Sequence, residues 1–334
     1  MEERKMKKTT KFAVMLMLVC AFAMVLAGCG GSKEKDEEKG NAYKIGIIQL
    51  IEHPALDEAT KGFKEGVQSV LGEDAVVFDE QNAQGEDANC ATIASGFVTD
   101  KVDLIMANAT PALQASANAT ADIPVVGTSV TDFGSALDIK DWTGSTGKNI
   151  TGTSDLAPLD EQAKMVKEIK PDVKKVGILY CSKESNSKYQ VEEIMKQFDD
   201  LKIKYETYSA ADSNEVQSVA TKAASECDVF YIPTDNTMAS STETIKNVIM
   251  DKKIPVVAGE QGVCSVCGSV TLSISYYDIG FRAGEMAAEI LRDGRDPGEM
   301  PIETAPKVTK LYNKEVAEAI GLEIPEGYEE IKED

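Results

Sequence analysis

A single histidine is the first constraint on what this chain can do. A Ser-His-Asp triad would rest on His53 alone, and no Gly-x-Ser-x-Gly turn is there to hold a serine nucleophile. His53 precedes Pro54, which suits the start of a helix with proline at its first position. Cys264 and Cys267 form one C-x-x-C, read as lying in a loop. A zinc site would need two further ligands, and only one histidine is at hand. The two thiols are expected to be free or joined to each other, with no metal and no other cofactor. Cys90, Cys181 and Cys227 fall in apolar-periodic segments and read as small core residues. Gly-x-Gly-x-x-Gly, Walker A and His-Glu-x-x-His patterns are absent. The chain therefore reads as a binder and not an enzyme.

The remaining chemistry is recognition. After residue 28 the only arginines are Arg282, Arg292 and Arg295, all assigned to one late helix. A phosphate or dicarboxylate binder normally uses a bidentate guanidinium. Here an anionic group would have to be held by hydroxyls and by backbone N–H groups at helix starts. Thr110, Thr128-Ser129 and Ser185-Asn186-Ser187 supply these. The acids Asp132, Asp235 and Glu260 stand in similar loops. Helix-start donors with one or two carboxylates suit a zwitterion, meaning a free amino acid. Each such residue also has an ordinary use as a helix cap or turn former.

The elements that must position these residues alternate. Strands are expected at Tyr43–Leu50, Val76–Asp79, Asp103–Ala107 and Ile123–Thr128, with helices at Pro54–Leu71, Ala88–Val98 and Pro111–Ala119 between them. After Asn149 the pattern restarts. Strands at Lys175–Tyr180, Lys204–Tyr208, Val229–Ile232, Pro255–Ala258 and Ser269–Ser275 alternate with helices that include Tyr189–Leu201 and Met238–Met250. The helix Ile279–Arg292, the strand Lys307–Leu311 and the helix Lys314–Ile320 follow. Such spacing implies βαβ units and parallel sheets in two α/β lobes. Ligands in open α/β sheets sit beyond the carboxyl ends of the strands, so the loops after each strand should face a cleft.

The N-terminus is set apart from the fold. Arg4, Lys5, Lys7, Lys8 and Lys11 precede an uncharged apolar run, Phe12 to Leu26, too short for an ordinary membrane span and suited to a signal peptide. It ends in Leu26-Ala27-Gly28-Cys29, an arrangement that resembles a bacterial lipobox, whose cysteine would be lipidated. Residues 1–28 are read as the signal and 29–42 as a charged, flexible tether. The net charge of −21 argues against nucleic acid and against a polybasic membrane contact.

Several stretches are similar to one known family. They are Ile45-Gly46-Ile47-Ile48-Gln49-Leu50-Ile51-Glu52-His53-Pro54-Ala55-Leu56-Asp57, Gln81 to Gly85, Ala109-Thr110-Pro111-Ala112, Ile123 to Val126, Asn149-Ile150-Thr151-Gly152-Thr153-Ser154-Asp155 and Tyr231-Ile232-Pro233-Thr234-Asp235-Asn236-Thr237. The chain resembles the ABC transporter substrate-binding lipoproteins of tryptophan and tyrosine uptake. The resemblance implies a periplasmic-binding-protein type I fold with three crossings, expected near Thr151–Leu156, Ile274–Tyr277 and Ile302–Lys307. Lobe 1 would comprise 43–152 plus 277–303, and lobe 2 would comprise 153–276 plus 304–334. It implies that Thr110, Ser129, Ser185, Asn186 and Ser187 hold a ligand carboxylate. Asp235 with Asn236 would take the ammonium group, and the Gln49 to Leu56 segment, His53 included, would line the side-chain pocket. Glu260 is a further candidate from the acidic loops. The implied protein is an extracellular, lipid-anchored monomer that binds an amino acid, most readily an aromatic one, and serves a permease and an ATPase on separate chains. Trp142 is the only tryptophan, and no cleft loop carries arginine. Both facts weigh against a sugar or autoinducer ligand on the same fold; an adhesin role is compatible with binding.

Overall fold

Strands buried on both faces are rich in apolar residues, and their polar residues gather toward the ends from which the cleft loops begin. The computed structural model describes residues 42–332. The signal segment, Cys29 and the tether up to residue 41 lie outside the described residues. β1 (Tyr43–Gln49), β2 (Val76–Asn82), β3 (Leu104–Asn108), β4 (Val125–Val130) and β5 (Ile150–Ser154) alternate with α1 (Pro54–Leu71), α2 (Asp87–Thr99), α3 (Thr110–Ala119) and the short α4 (Phe133–Ala136). Every residue of β3, β4 and β5 is buried, as parallel strands covered by helices require.

The second half repeats the pattern. α5 (Leu159–Ile169), β6 (Val176–Cys181), α6 (Ser185–Asp200), β7 (Tyr205–Ala210), α7 (Val216–Glu226) and β8 (Val229–Ile232) lead to α8 (Asn236–Ala239) and α9 (Thr242–Lys252). Then come β9 (Val256–Ala258), α10 (Gln261–Val266), β10 (Val270–Ser273), α11 (Tyr276–Asp293), β11 (Glu303–Thr304), β12 (Thr309–Tyr312), α12 (Lys314–Ile320) and β13 (Glu329–Glu330). Two sheets result, ordered β11-β5-β4-β3-β1-β2 and β13-β12-β10-β9-β8-β6-β7. The chain passes between them after β5, between β10 and α11, and between β11 and β12.

Several expectations need correction. β12 pairs with β10 antiparallel, whereas a parallel sheet was expected. After β11 the chain enters the second sheet from its cleft edge with no intervening helix, so its strand runs away from the cleft. β5 keeps Thr153 and Ser154 in the first sheet, where they pair with β11. The change of sheet thus falls two residues later than 152, and Thr304 also belongs to the first sheet. The expected helix Met238–Met250 is two helices. Asp235 caps the first, and Ser241 leaves helical geometry before the second. Cys264 lies in α10 and Cys267 caps its end, so the pair is helical rather than in a loop. Both are buried free thiols. Arg295 lies beyond the end of α11, just past its C-cap Gly294.

α1 and α11 pack against each other over one face of the first sheet, joined by Phe63, Val67, Ala283 and Met286. Gly62 and Gly66 on α1 meet the backbone of Tyr277 and Phe281, while Gly280 and Gly284 on α11 meet that of Ala59 and Phe63. There is no room for a Cβ at any of the four. α11 is therefore held close to lobe 1, immediately after the second crossing.

Candidate functional site

The carboxyl ends of the first sheet carry unusual backbone. After β3, Ala109 has φ 87° and ψ 158°, a region that non-glycine residues rarely enter. Near the end of β4, Ser129 has φ 54°. Strain of this kind, worth about 1–3 kcal/mol per residue, clusters at sites whose geometry is over-determined. Thr110 begins α3 behind Ala109, and Thr110 and Ser129 both hold a buried hydroxyl without a partner.

The second sheet contributes acids. Asp235, after β8, caps α8: one oxygen accepts from the Met238 N–H at 2.8 Å and the other from the Cys181 N–H at 2.6 Å. Glu260, after β9, caps α10 by accepting from the N–H groups of Gly262 and Val263. Glu184, ahead of α6, accepts from Asn186 Nδ2, from the Asn236 N–H and Nδ2, and from the Thr237 N–H and hydroxyl. Asp155 lies in the first crossing. One of its oxygens accepts from the Tyr276 hydroxyl at 3.0 Å, and the other has no partner although the residue is 3% exposed.

These pieces meet in a tight space of about 10 Å³ between the sheets, lined by His53, Leu56, Ser129, Thr131, Asp155, Asn186, Thr234, Asp235, Asn236, Ala239, Glu260 and Tyr276. That is about the room one water molecule needs, so the walls must part to admit anything larger. Four of its lining atoms are buried and unpartnered: His53 Nδ1, Ser129 Oγ, Asp155 Oδ1 and Asn186 Oδ1. Buried polar atoms are almost always paired, so four orphans on the residues around one space call for a polar occupant. Among the described residues lining it, none is lysine or arginine. Burial pushes the Asp155 carboxyl up to about 6 and that of Glu260 up to about 7. Burial and the neighbouring Glu184 also raise Asp235, against the pull of its two N–H donors. Burial lowers His53 despite its contact with Asn236. Burial thus pushes these carboxyls toward their neutral forms, which a nearby cation would reverse, and the lining offers no fixed cation to an anion.

The expected residues divide. His53, Leu56, Ser129, Asn186, Asp235, Asn236 and Glu260 line the cavity. Gln49 does not: its amide donates to Asp57 and to the Ile51 carbonyl, and its oxygen accepts from Thr60, so it braces the start of α1. Thr110, Ser187 and the exposed Ser185 also lie outside the lining. Asp235 has both oxygens engaged by backbone, so it is a capping group first. The sequence reading passed over Asp155, Tyr276 and Glu184 as site residues. Asp155 closes the Asn149–Asp155 stretch at a crossing, which was the available signal. Tyr276 carried the same signal, lying in the expected crossing Ile274–Tyr277, and Glu184 carried none. The lobes touch across the cavity, His53 Nε2 lying 3.3 Å from Asn236 Oδ1 and Gln190 Nε2 donating to Thr131 at 3.4 Å.

Comparison with known proteins gives a consistent set of similarities. Residues 44–330 match the family model described as ABC transporter substrate binding protein. A tyrosine-binding protein of Clostridioides difficile is 35% identical over 327 residues, covering 95% of this chain and 94% of its own. The crystal structure of an ABC domain in complex with L-Trp, from Streptococcus pneumonia, matches with a TM-score of 0.82 at 33% identity, covering 87% of this chain and all of that one. A substrate binding protein with adhesive properties from Clostridium difficile, solved ligand-free and open, matches with a TM-score of 0.67 at 36% identity, covering 88% of this chain and all of that one. The open structure is the more similar in sequence and the less similar in shape.

Proposed function

This chain belongs to the ABC transporter substrate-binding protein family, whose fold is the periplasmic-binding-protein type I arrangement, and from that premise we propose that it captures a free aromatic amino acid by closing its two lobes. The carrying observation is the cavity itself: unpartnered acceptors and buried carboxylates without a lysine or arginine, lying beyond the carboxyl ends of both sheets. A ligand ammonium supplies the missing donors and charge. Asp155 is its charge partner, because it lines the cavity with one oxygen unpartnered while those of Asp235 and Glu260 accept from backbone N–H groups. Ser129, with backbone N–H groups at the strained strand ends, receives the ligand carboxylate. Leu56, Ala239 and Tyr276 offer apolar surface to the side chain.

The cross-lobe contacts of His53 with Asn236 and of Gln190 with Thr131 support a closed form, as does the better fit to the L-Trp complex than to the open relative. Closure gains its free energy from contacts that the ligand makes with both lobes, which shifts the population from open to closed. Lobe 1 is taken as residues 43 to about 154 with about 276 to 304, and the rest forms lobe 2. A lipid on Cys29 holds the protein at the outer face of the membrane, where permease and ATPase subunits on separate chains complete the importer. No chemistry is assigned to the site.

Titration calorimetry with L-tyrosine, L-tryptophan, L-phenylalanine and a hexose tests the reading. At least one aromatic amino acid should bind and the hexose should not. Asp155→Asn should weaken the amino acid by about 3–5 kcal/mol, the usual cost of breaking a buried ion pair. Hexose binding without amino-acid binding would overturn the reading.

A further inference from the structure

We propose that His53 is the specificity-determining acceptor of this site: a neutral imidazole fixed in one tautomer by a relay across the cleft, whose Nδ1 lone pair takes one N–H of the ligand's ammonium group. The inference rests on the amino-acid reading above and adds to it a protonation state, a direction of hydrogen bonding and a pH dependence.

The relay starts at Glu184. Five donors converge on its carboxylate, two of them from the side chain and backbone of Asn236 at 2.6 and 3.0 Å. The Asn236 amide nitrogen is committed to Glu184, which turns its oxygen toward His53. The opposite amide orientation would set that oxygen against the carboxylate, acceptor to acceptor. An amide oxygen carries no proton, so the proton of the 3.3 Å contact must sit on His53 Nε2. Nδ1 then holds a lone pair, buried and without a partner.

Three unpartnered acceptors thus line the cavity. They are His53 Nδ1, Asp155 Oδ1 and Asn186 Oδ1, the last because the Asn186 nitrogen already donates to Glu184, Ser187 and the Thr234 carbonyl. A primary ammonium carries three N–H donors, one for each. A hydroxyl in its place would leave two acceptors unmet, and an N-methyl group would leave one. The charged and titratable groups around His53 are Asp57 on its own helix, Glu184 across the cleft, and Asp155, Asp235, Glu260 and Tyr276 around the cavity. Asn236, Asp57 and Glu184 favour the imidazolium, but burial outweighs them and keeps the ring neutral at neutral pH. Acidification protonates Nδ1. It turns the acceptor into a donor and sets a cation against the ligand's own, so the ligand is released.

Because His53 is the only histidine, ¹⁵N-labelling of histidine in the chain without a histidine tag reports on this ring alone. At neutral pH the spectrum should show a pyrrole-like Nε2 and a pyridine-like Nδ1, and L-tyrosine or L-tryptophan should move the Nδ1 resonance most. Calorimetry from about pH 8 to pH 5 should show wild-type affinity falling with acidity. His53→Gln, which can offer an amide oxygen but does not titrate, should flatten that fall by up to about tenfold per pH unit. The Asp155 contribution remains in both proteins. An Nδ1–H tautomer, an imidazolium at neutral pH, or an unchanged pH slope in His53→Gln would overturn the role given to His53 while leaving amino-acid binding intact. Failure of the wild type to bind any amino acid would instead bring down the reading on which it rests.

Discussion

Asp155 and Asp235 share one cavity, yet what their oxygens touch sets them apart. Asp155 keeps an oxygen free, and burial raises its pKa to about 6 from an unfolded value near 3.8. The native state therefore holds this proton more tightly than the unfolded chain does. Its ionisation costs stability as pH rises from about 4 through about 6, and the full cost, roughly 3 kcal/mol as an upper bound, applies above that. Asp155→Asn should accordingly raise the melting temperature of the ligand-free protein at pH 8, with the gain fading below pH 4, even as it removes ligand affinity. Thermal unfolding at the two pH values measures this. A stability loss at pH 8 would mark Asp155 as a structural group. Asp235→Ala should behave in the opposite way. It leaves the buried N–H groups of Cys181 and Met238 unpaired, at about 1–3 kcal/mol each. Denaturant unfolding should show the loss directly, in the ligand-free protein.

At the scale of elements, the α1–α11 contact sets where the second crossing meets the first lobe. α1 carries His53 at its N-cap and Leu56 in its first turn, while α11 carries Tyr276 at its start. The spacing between the two helices therefore sets the spacing between cavity walls. Gly280→Ala would drive a methyl into the Ala59 carbonyl. Overpacking of this kind costs about 1–3 kcal/mol. The variant should lose that stability and also bind more weakly, because the shift is carried to Tyr276 and through it to Asp155. The same change at Gly96, where nothing lies close to a new Cβ, should leave binding unchanged. Equal effects at the two positions would show that the helix contact does not position the site.

For the whole molecule, binding and closure are one equilibrium. A ligand at a hundred times its Kd should stabilise the folded chain by about 2.7 kcal/mol, and small-angle scattering should show a smaller radius of gyration with L-tyrosine or L-tryptophan than without. No change in either would separate binding from closure. Among the described residues, no helix is long and apolar enough to cross a membrane; the attachment proposed above is the lipid on Cys29. Cys29→Ala should release the protein into the soluble fraction or leave an uncleaved precursor. Fractionation and mobility like wild type would remove the lipid anchor.

The sequence by itself determined the two α/β lobes, because strand and helix periodicity are local and most β-rich runs were followed by a segment with helical spacing. It also placed His53, Ser129, Asn186 and Asn236 near the cleft, since loops after parallel strands must lie at one edge of a sheet. It could not separate a binding carboxylate from a capping one. Asp235 and Glu260 look the same as ligand groups in one dimension, and only the folded chain shows that backbone N–H groups already fill their oxygens. Asp155 reaches the site because a crossing strand ends there, and Tyr276 because a helix from a distant part of the chain starts beside it. The antiparallel β12 follows from the edge at which the chain re-enters its sheet. The tautomer of His53 depends on Asn236 and Glu184, far from it in sequence. Hydrogen-bond satisfaction is a property of three-dimensional neighbours, so the tertiary structure alone decided which polar groups are spent on the fold and which remain for a ligand.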